Sequence, residues 1–295
     1  MALSTPLLQS QKTEWALVRA HPSESSRHTG PERASYGVQI AGSKVANVVK
    51  TTELLTQLCA TGLDAIDLNC GCPLDMVYKT GAGSGLLDQQ GKLVKILRGM
   101  VLVSGDIPVT CKIRMGVQTG KNTAQKLLKK IIVENVGISA ITLHGRSRQQ
   151  RYTKAADWAY IAECAALIKR TKEEMAAATD ASYENLEVGE TVGRLAFLGN
   201  GDVNSFVDWE RARDIAGCDT SMIARGAIIK PWIFEEIEAR QHLDKSASER
   251  LDMLKKFAYW GLEHWVPSPF LRVFSSNTPP LVINRLTGLG YVRCV

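Results

Sequence analysis

Short apolar segments alternate with longer amphipathic segments along most of the chain. The short segments predict strands at 36–41, 64–69, 107–113, 140–144, 195–200 and 221–225. The longer segments repeat their apolar residues with helical spacing and predict helices at 46–61, 84–103, 122–135, 158–172, 205–215 and 251–265. Nearly continuous apolar strands that alternate with helices are typical of a parallel sheet with both faces covered.

Polar or glycine-rich loops follow five of the six predicted strands. In a (β/α)₈ barrel the reactive groups lie where the strands end, so such loops suit the mouth of a barrel. A dinucleotide-binding sheet would carry GxGxxG after its first strand, and no such motif stands there. We therefore predict an α/β fold of the TIM (β/α)₈ barrel type. The barrel is expected to be incomplete, with about six of the eight strands, and to end in a short C-terminal helical remnant.

Two stretches interrupt this rhythm. Residues 173–193 are rich in Ala, Thr and Glu and predict a surface insertion, and residues 266–295 lose the helical pattern. The predicted organisation is a partial barrel over 1–240, the start of a helical domain over 241–265 and an atypical tail over 266–295.

Composition narrows the class of protein. The longest apolar runs are too short to cross a membrane, and the N-terminus lacks the basic and apolar regions of a secretory signal. The seven cysteines are odd in number and form no CxxC pair, so neither a disulfide framework nor a metal site is expected. These features favour the cytoplasm or the nucleus. The net charge of +6 includes a basic stretch over 144–151, which would raise the local affinity for phosphate.

Several motifs occur together in a fixed order. They are DLNCGCPLD from Asp67, KTGAGS from Lys79, TCKIRMG from Thr110, LHGRSR from Leu143, Asp157-Trp158, LGNGDV from Leu198 and IARGA from Ile223. In this order and spacing the chain resembles the tRNA-dihydrouridine synthases, over about residues 1–265. The segments LLQSQKTEW from Leu7 and GLEHW from Gly261 favour the eukaryotic subfamily that acts at position 47 of tRNA.

The resemblance implies an oxidoreductase that uses FMN, with NADPH as the reductant, and reduces uridine in tRNA to 5,6-dihydrouridine. Hydride would pass from flavin N5 to C6 of the uracil, and a cysteine would give a proton to C5. The place of Cys72 in the Asn-x-x-Cys-Pro pattern assigns it as that catalytic acid, and Pro73 restricts the backbone beside it. Cys70 matches no catalytic position, so we expect it to be structural.

The resemblance also implies that the partial barrel over 1–240 binds flavin, that the helical domain starting over 241–265 binds RNA, and that particular residues make these contacts. Lys112 would contact the flavin ring and stabilise the charge of its reduced form. The flavin contacts implied are Gln39, Asn69, Lys112 and His144 for the ring, and Asn200, Gly201, Asp202, Ala224, Arg225 and Gly226 for the ribityl and phosphate groups. The RNA contacts implied are Arg114, Arg146, Arg148 and Arg151. Tyr152 is a candidate for stacking on a base, whereas Trp158 is expected to pack in the core.

Other features separate the chain from the family pattern. Residues 1–4 resemble the end of the family's second strand, and a zinc-binding region expected of the eukaryotic subfamily is not found. From these departures we expect a truncated chain that folds poorly alone and binds FMN weakly. The predicted partner is tRNA, or mRNA, bound by a monomer.

Two alternative functions stay open at this point. The first is a small-molecule FMN barrel, similar to dihydroorotate dehydrogenase, against which the arginines after His144 argue. The second is an inactive fragment that only binds RNA.

Overall fold

A computed structural model describes residues 1–12, 14, 36–58, 63–179 and 195–265, without the side chains of 178–179 and 260–265. The atypical tail predicted over 266–295, and residues 180–193 of the predicted insertion, lie outside the described residues. Residues 173–179 prolong a helix that extends over Trp158–Thr179. The irregular segment therefore does not begin at residue 173, because the helical hydrogen-bonding pattern continues through an Ala- and Glu-rich sequence that favours helix.

The described residues form one parallel sheet of seven strands, ordered along the sheet as along the chain. The strands are β1 (Ala2–Leu3), β2 (Gly37–Ala41), β3 (Ala65–Cys70), β4 (Val109–Arg114), β5 (Ala140–His144), β6 (Ala196–Asn200) and β7 (Thr220–Met222). The count of six is corrected to seven because two-residue β1 is too short to show a pattern. It pairs with Ile40 and Ala41 at the place where the resemblance puts the end of a strand.

The C-terminal end of the last strand also differs from the prediction. The segment 221–225 was expected to be a strand, but β7 ends at Met222 and Arg225 begins a helix. The residue before that helix, Ala224, has φ −120° and ψ −94°, which is not strand geometry. Ala224 therefore lies in the turn between β7 and that helix, and Arg225 and Gly226 are the first two residues of the helix.

Helices follow the strands, as the alternating pattern predicts. They are α1 (Ser4–Leu8), α2 (Val45–Leu58), α3 (Asp75–Tyr78), α4 (Gln90–Val103), α5 (Ala124–Val133), α6 (Trp158–Thr179), α7 (Phe206–Asp214), α8 (Arg225–Ile229), α9 (Ile233–Ala239) and α10 (Ala247–Trp265). The helix predicted over 84–103 is divided, because Gly83–Asp88 forms a 3₁₀ helix before α4 begins.

The two faces of the sheet differ in polarity. Side chains alternate between the faces of a strand, and one alternation is apolar and packs against the helices in the main core. Its strand residues are Val38, Ile40, Ile66, Leu68, Val109, Cys111, Ile113, Ile141, Leu143 and Phe197. The opposite alternation carries polar side chains toward the strand ends: Gln39, Asp67, Asn69, Thr110, Lys112, Arg114, Thr142 and His144. We call this second surface the polar face; it makes the strands less uniformly apolar than expected.

The chain divides into two compact units. The first comprises residues 1–203 and 207–223 and contains the sheet; the second comprises 204–206 and the residues from 224 onward and contains α8, α9 and α10. In the second unit buried Glu236 accepts hydrogen bonds from Lys230 Nζ at 2.7 Å and from the Leu243 N–H at 3.1 Å. The assignment of residues 241–265 to a separate RNA-binding domain stays a prediction.

Candidate functional site

A hydrogen-bonded network joins β2, β3 and β4 on the polar face. Gln39 Nε2 donates to Asp67 Oδ2 at 2.7 Å, and Asn69 Nδ2 donates to Gln39 Oε1 at 2.8 Å. Thr110 Oγ1 donates to Asp67 Oδ1 at 2.7 Å. Because Gln39 pairs with Asp67 and Asn69 with Lys112 in the parallel register, neighbouring strands bring these side chains together. The network therefore fixes the orientation of both predicted flavin-binding amides.

The same network holds the loop that carries Cys72. Asn69 Oδ1 accepts the backbone N–H groups of Gly71 at 3.0 Å and of Cys72 at 2.8 Å. On the other side of the loop, Ser84 Oγ donates to the Cys72 carbonyl at 2.7 Å. The Cys72 side chain is 1% exposed and packs in a small cluster with Val77. The backbone around this cysteine is thus held by hydrogen bonds from both directions.

Cys70 has a different environment. It is buried in the main core on the apolar face, as expected for a structural residue. Burial, with smaller contributions from Cys111 and Asp67, raises the pKa of the Cys70 thiol well above its ordinary value. Two cysteines only two residues apart therefore lie in different clusters, Cys70 in the main core and Cys72 in the small cluster beside the 3₁₀ helix.

Lys112 is a half-buried cation on the polar face. It lies between Asn69 and Thr142 in the strand register. Within the part of the chain that the structure describes, its ammonium group makes no hydrogen bond or ion pair. Burial, then the nearby charge of Arg114, lowers the pKa of Lys112 to about 8, although Asp67 opposes this shift. Burial raises the pKa of Asp67, whereas the hydrogen bonds from Thr110 and Gln39 lower it and only partly offset the effect of burial.

Arg114 is directed into the protein. It is 2% exposed, and its Nε donates to the Gly71 carbonyl at 2.7 Å. Its Nη1 donates to the carbonyls of Ser147 at 3.1 Å and Arg151 at 3.5 Å. Burial lowers the pKa of Arg114 to about 10, and the effects of the nearby charges partly cancel one another. This guanidinium therefore ties the Cys72 loop to the loop after β5, and its predicted contact with RNA remains untested.

His144 and Arg146 form a second buried group with Asp202. Arg146 Nη1 lies 3.2 Å from His144 Nε2, and Arg146 Nη2 lies 2.5 Å from Asp202 Oδ2. Arg146 Nε donates to the Lys154 carbonyl at 2.5 Å, and Asp202 Oδ2 also accepts the Ala156 N–H at 2.8 Å. The structure thus joins three residues that the sequence analysis assigned to separate contacts with flavin, RNA and phosphate.

Arg148 and Arg151 differ in exposure. Arg148 forms an ion pair with Asp75 in α3, and its guanidinium lies 3.8 Å from the centre of the Tyr78 ring. Tyr78 Oη in turn donates to Asp88 Oδ2 at 2.9 Å. Arg151 is exposed, as is the neighbouring Tyr152 at 44%. Of the four arginines predicted to contact RNA, Arg151 is therefore the most open to solvent.

The remaining predicted binding residues follow β6 and β7. Asn200 Nδ2 donates to the Met222 carbonyl at 2.8 Å, and Gly201 has φ +127°, which favours glycine. Trp158 Nε1 donates to the Gly201 carbonyl at 3.0 Å, and Trp158 packs against the main core as expected.

Ala224, Arg225 and Gly226 belong to the second unit, where Ala224 and Arg225 are exposed and Gly226 is buried. Their predicted contact with a phosphate stays a prediction.

Four residues of this site were not among those predicted from the sequence. Asp67 and Thr110 complete the network on the polar face, and Asp75 and Tyr78 bind Arg148. A signal for Asp67 exists in the chain, because it stands two residues before Asn69 in the same strand and so shares its face. The partners of Arg148 come from 70 residues or more away in sequence, and no local pattern indicates them.

Comparison with known proteins places the chain in a family. The family model described as dihydrouridine synthase matches residues 5–169 and 164–264. The chain belongs to the dihydrouridine synthase family. A relative from Coccidioides immitis is 49% identical over 288 residues, which cover 90% of this chain and 40% of the relative. Another, from Meyerozyma guilliermondii, is 51% identical over 265 residues, covering 90% of this chain and 41% of the relative.

Both relatives are named tRNA-dihydrouridine(47) synthase [NAD(P)(+)]. The chain spans about two fifths of the length of these relatives. Among the described residues no helix is long and apolar enough to cross a bilayer, and no group of three or more His, Cys, Asp or Glu side chains is arranged to hold a metal ion.

Proposed function

We propose that this chain supplies the catalytic sheet of an FMN-dependent enzyme that reduces uridine in tRNA to 5,6-dihydrouridine, at position 47, with NADPH as the reductant. Membership of the dihydrouridine synthase family supports the reaction, and the names of the relatives support tRNA, position 47 and a nicotinamide cofactor. The parallel sheet with helices is consistent with a TIM-type barrel, and closure of that barrel is part of the proposal.

The observation that carries the proposal is the unpartnered cation on the polar face. Lys112 makes no hydrogen bond or ion pair within the described residues, although burial is costly for an ammonium group. A negatively charged or strongly accepting ligand beside Lys112 would remove that cost. The flavin ring has carbonyl and nitrogen acceptors along one edge, and its reduced form carries negative charge there, so Lys112 fits this cofactor.

The amides of the polar face suit the same ring. Gln39 and Asn69 each use one N–H bond and their carbonyl oxygen within the network. Each amide nitrogen has two N–H bonds, so one donor on each is left for a ligand. FMN, when bound and reduced, supplies the hydride that adds to C6 of the uracil. The remaining requirements of the reaction fall on side chains of this chain.

Cys72 is proposed to deliver the proton. The Cys72 S–H would give its proton to C5 as C6 gains hydride, which balances the reduction of one carbon–carbon double bond. Asn69 and Ser84 hold the backbone of Cys72 on either side, which limits the positions that its thiol can reach. The thiol is buried, so the uracil ring can reach it only after the small apolar cluster around Val77 opens.

The distribution of arginines changes the argument for RNA. Arg114 at the end of β4 and Arg146 after β5 are both buried and bonded to the protein, so a count of the four arginines does not distinguish an RNA substrate from a small molecule. Family membership is what favours RNA over a small substrate similar to dihydroorotate. Exposed Arg151 and Tyr152 are the groups on this loop that we assign to RNA contact.

A direct experiment tests the proposal. The chain is purified and FMN binding is followed by flavin fluorescence; tRNA lacking the modification is then incubated with enzyme, FMN and NADPH, and dihydrouridine is mapped. We expect dihydrouridine at position 47 with the parent chain and none with Cys72→Ala. Flavin binding without any dihydrouridine in the parent would refute the reaction, and absence of both FMN and product would favour the inactive RNA-binding fragment.

The cellular setting is a further part of the proposal. Cys70, Cys72, Cys111, Cys164 and Cys218 are free thiols in the described residues. Free thiols at these positions suit a reducing compartment, either the cytoplasm or the nucleus. Fractionation of cells that express a tagged chain would test this placement.

A further inference from the structure

The turn after β6 brings a carboxylate to the histidine of β5 through an arginine. Gly201 has φ +127° and Asp202 has φ +56°, so two successive residues have left-handed backbone conformations. A Cβ atom at Gly201 would lie 2.6 Å from Ala156 Cβ and 3.2 Å from His144 Cδ2. The absence of a side chain at Gly201 lets this turn approach the His144 ring closely, and the following residue then faces Arg146.

Arg146 has its donors distributed over three acceptors. Its Nε donates to the Lys154 carbonyl at 2.5 Å, its Nη2 to Asp202 Oδ2 at 2.5 Å, and its Nη1 lies 3.2 Å from His144 Nε2. The side chain of Arg146 is 4% exposed. A planar guanidinium held at three of its nitrogens has little freedom to rotate, so the position of Nη1 depends on Asp202 and Lys154.

The chemistry of Arg146 determines the protonation of the histidine ring. A guanidinium has only N–H donors and no acceptor, so in the Arg146–His144 contact the imidazole nitrogen must accept. A neutral imidazole that accepts at Nε2 carries its proton at Nδ1. The contact therefore selects one of the two neutral tautomers of His144.

We propose that Asp202 is a positioning residue that holds Arg146 so that His144 presents an N–H at Nδ1 and a lone pair at Nε2. This inference deepens the proposed function, on which its catalytic meaning rests, because it gives Asp202 a role other than contact with the cofactor phosphate. A carboxylate next to a phosphate would be repelled, whereas its bond to Arg146 at 2.5 Å is charge-assisted. The same oxygen also accepts the Ala156 N–H, which fixes it from a second direction.

Substitutions at Asp202 can separate charge, hydrogen bonding and backbone strain. Asn tolerates left-handed φ and keeps an acceptor oxygen, whereas Gly tolerates the same φ and removes the acceptor. Both Asp202→Asn and Asp202→Gly can therefore adopt the φ of +56° at this position without added backbone strain. Asp214→Asn is the control, because it disrupts an exposed Asp–Arg pair, with Arg213 at 2.8 Å.

The test is nitrogen NMR of the full chain labelled with ¹⁵N-histidine, with His144→Asn used to assign one of the five histidines. We expect the parent, Asp202→Asn and Asp214→Asn to show His144 protonated at Nδ1 alone, and Asp202→Gly to show a mixture of tautomers. The measurement needs neither flavin nor RNA, so it can fail while the proposed reduction succeeds.

Two results would overturn the inference: a parent His144 protonated at Nε2, or an Asp202→Gly variant with an unchanged His144 spectrum. If Asp202→Gly does not fold, the parent and Asp202→Asn spectra still decide, and Nε2 protonation in either refutes it. In the loaded enzyme, kcat for tRNA should fall in Asp202→Gly on the order of tenfold to a hundredfold, the range known for partners that orient metal-ligating histidines. Asp202→Asn should restore most of it.

Discussion

The side-chain oxygen of Asn69 accepts the backbone N–H of Cys72 over 2.8 Å. The same oxygen accepts the backbone N–H of Gly71. Asn69, which is predicted to contact the flavin, therefore also supports the loop that carries Cys72. Asn69→Ala would leave two buried N–H groups without partners, and each costs about 1–3 kcal/mol. We expect the free energy of unfolding, measured with urea, to fall by at least about 2 kcal/mol.

Asn69→Asp is the comparison for this substitution, since a carboxylate oxygen can accept the same two bonds while the N–H donated to Gln39 Oε1 is lost in both variants. It should keep more of the stability than Asn69→Ala does. If Asn69→Ala unfolds at the same urea concentration as the parent, the support role is wrong.

The two neighbouring cysteines should separate structure from catalysis. Cys72→Ala is expected to abolish formation of dihydrouridine while FMN still binds, because only the proton donor is removed. Cys70→Ala should retain activity but lower stability by about 1 kcal/mol, since a buried sulfur is removed from the core. Dihydrouridine mapping and thermal melts of both variants measure these outcomes. Dihydrouridine formed at the parental rate by Cys72→Ala would remove the acid role.

Lys112 should give the stability of the ligand-free protein a defined pH dependence. Its pKa in the folded protein is about 8, compared with an ordinary value of 10.5. Between these values the unfolded chain binds more protons than the folded chain, so the stability contributed at this site rises with pH. The cost of burying the charge is fully present below about pH 8 and is relieved as pH rises toward 10.5.

Lys112→Met removes that titration. The parent should therefore gain stability relative to Lys112→Met between pH 8 and 10.5, by on the order of 3 kcal/mol as an upper limit for this half-buried group. Urea unfolding at several pH values measures the difference, and other titrating groups cancel between the two proteins. Parallel curves across this range would show that burial does not perturb Lys112. FMN affinity should be lower in Lys112→Met at neutral pH.

The four arginines should separate into two classes. Arg151→Asn, which suits the φ of +46° at this position, should weaken tRNA binding and reduce the slope of log affinity against log salt by about one, with no loss of stability. Arg114→Met should lower stability by at least about 2 kcal/mol, because it leaves the Gly71 and Ser147 carbonyls unpaired. Salt-dependent tRNA binding and urea unfolding of both variants provide the comparison. If the slope of log affinity against log salt changes only in Arg114→Met, then Arg114 and not Arg151 contacts the tRNA.

Much of the sheet could be predicted from the chain because each strand is a short apolar run followed by glycine or polar residues. The predicted strand 140–144 has the bounds of β5, and most others differ by one or two residues. The two-residue β1 and the 3₁₀ helix Gly83–Asp88 were less accessible, since neither is long enough to show a period. Several predicted site residues lie on one face of the sheet because side chains two residues apart in a strand share a face, and parallel strands end at one edge of the sheet.

The partners of those residues could not be predicted in the same way. Charge alone predicts a phosphate-binding surface for the basic stretch over 144–151. In the folded protein Arg114 and Arg146 satisfy backbone carbonyls of irregular loops, and which carbonyls lack a partner is decided only when the strands assemble. The partners are also far apart in the sequence, since 56 residues separate Arg146 from Asp202, so no local pattern indicates the pair.

The burial of Cys72 has a practical consequence for handling the protein. A thiol that is 1% exposed reacts with an alkylating reagent only during the moments when its loop opens. The rate of alkylation at Cys72, compared with that of a denatured sample, would therefore measure how often the loop opens to the reagent. A purification carried out in the folded state should protect this cysteine from oxidation without added reductant.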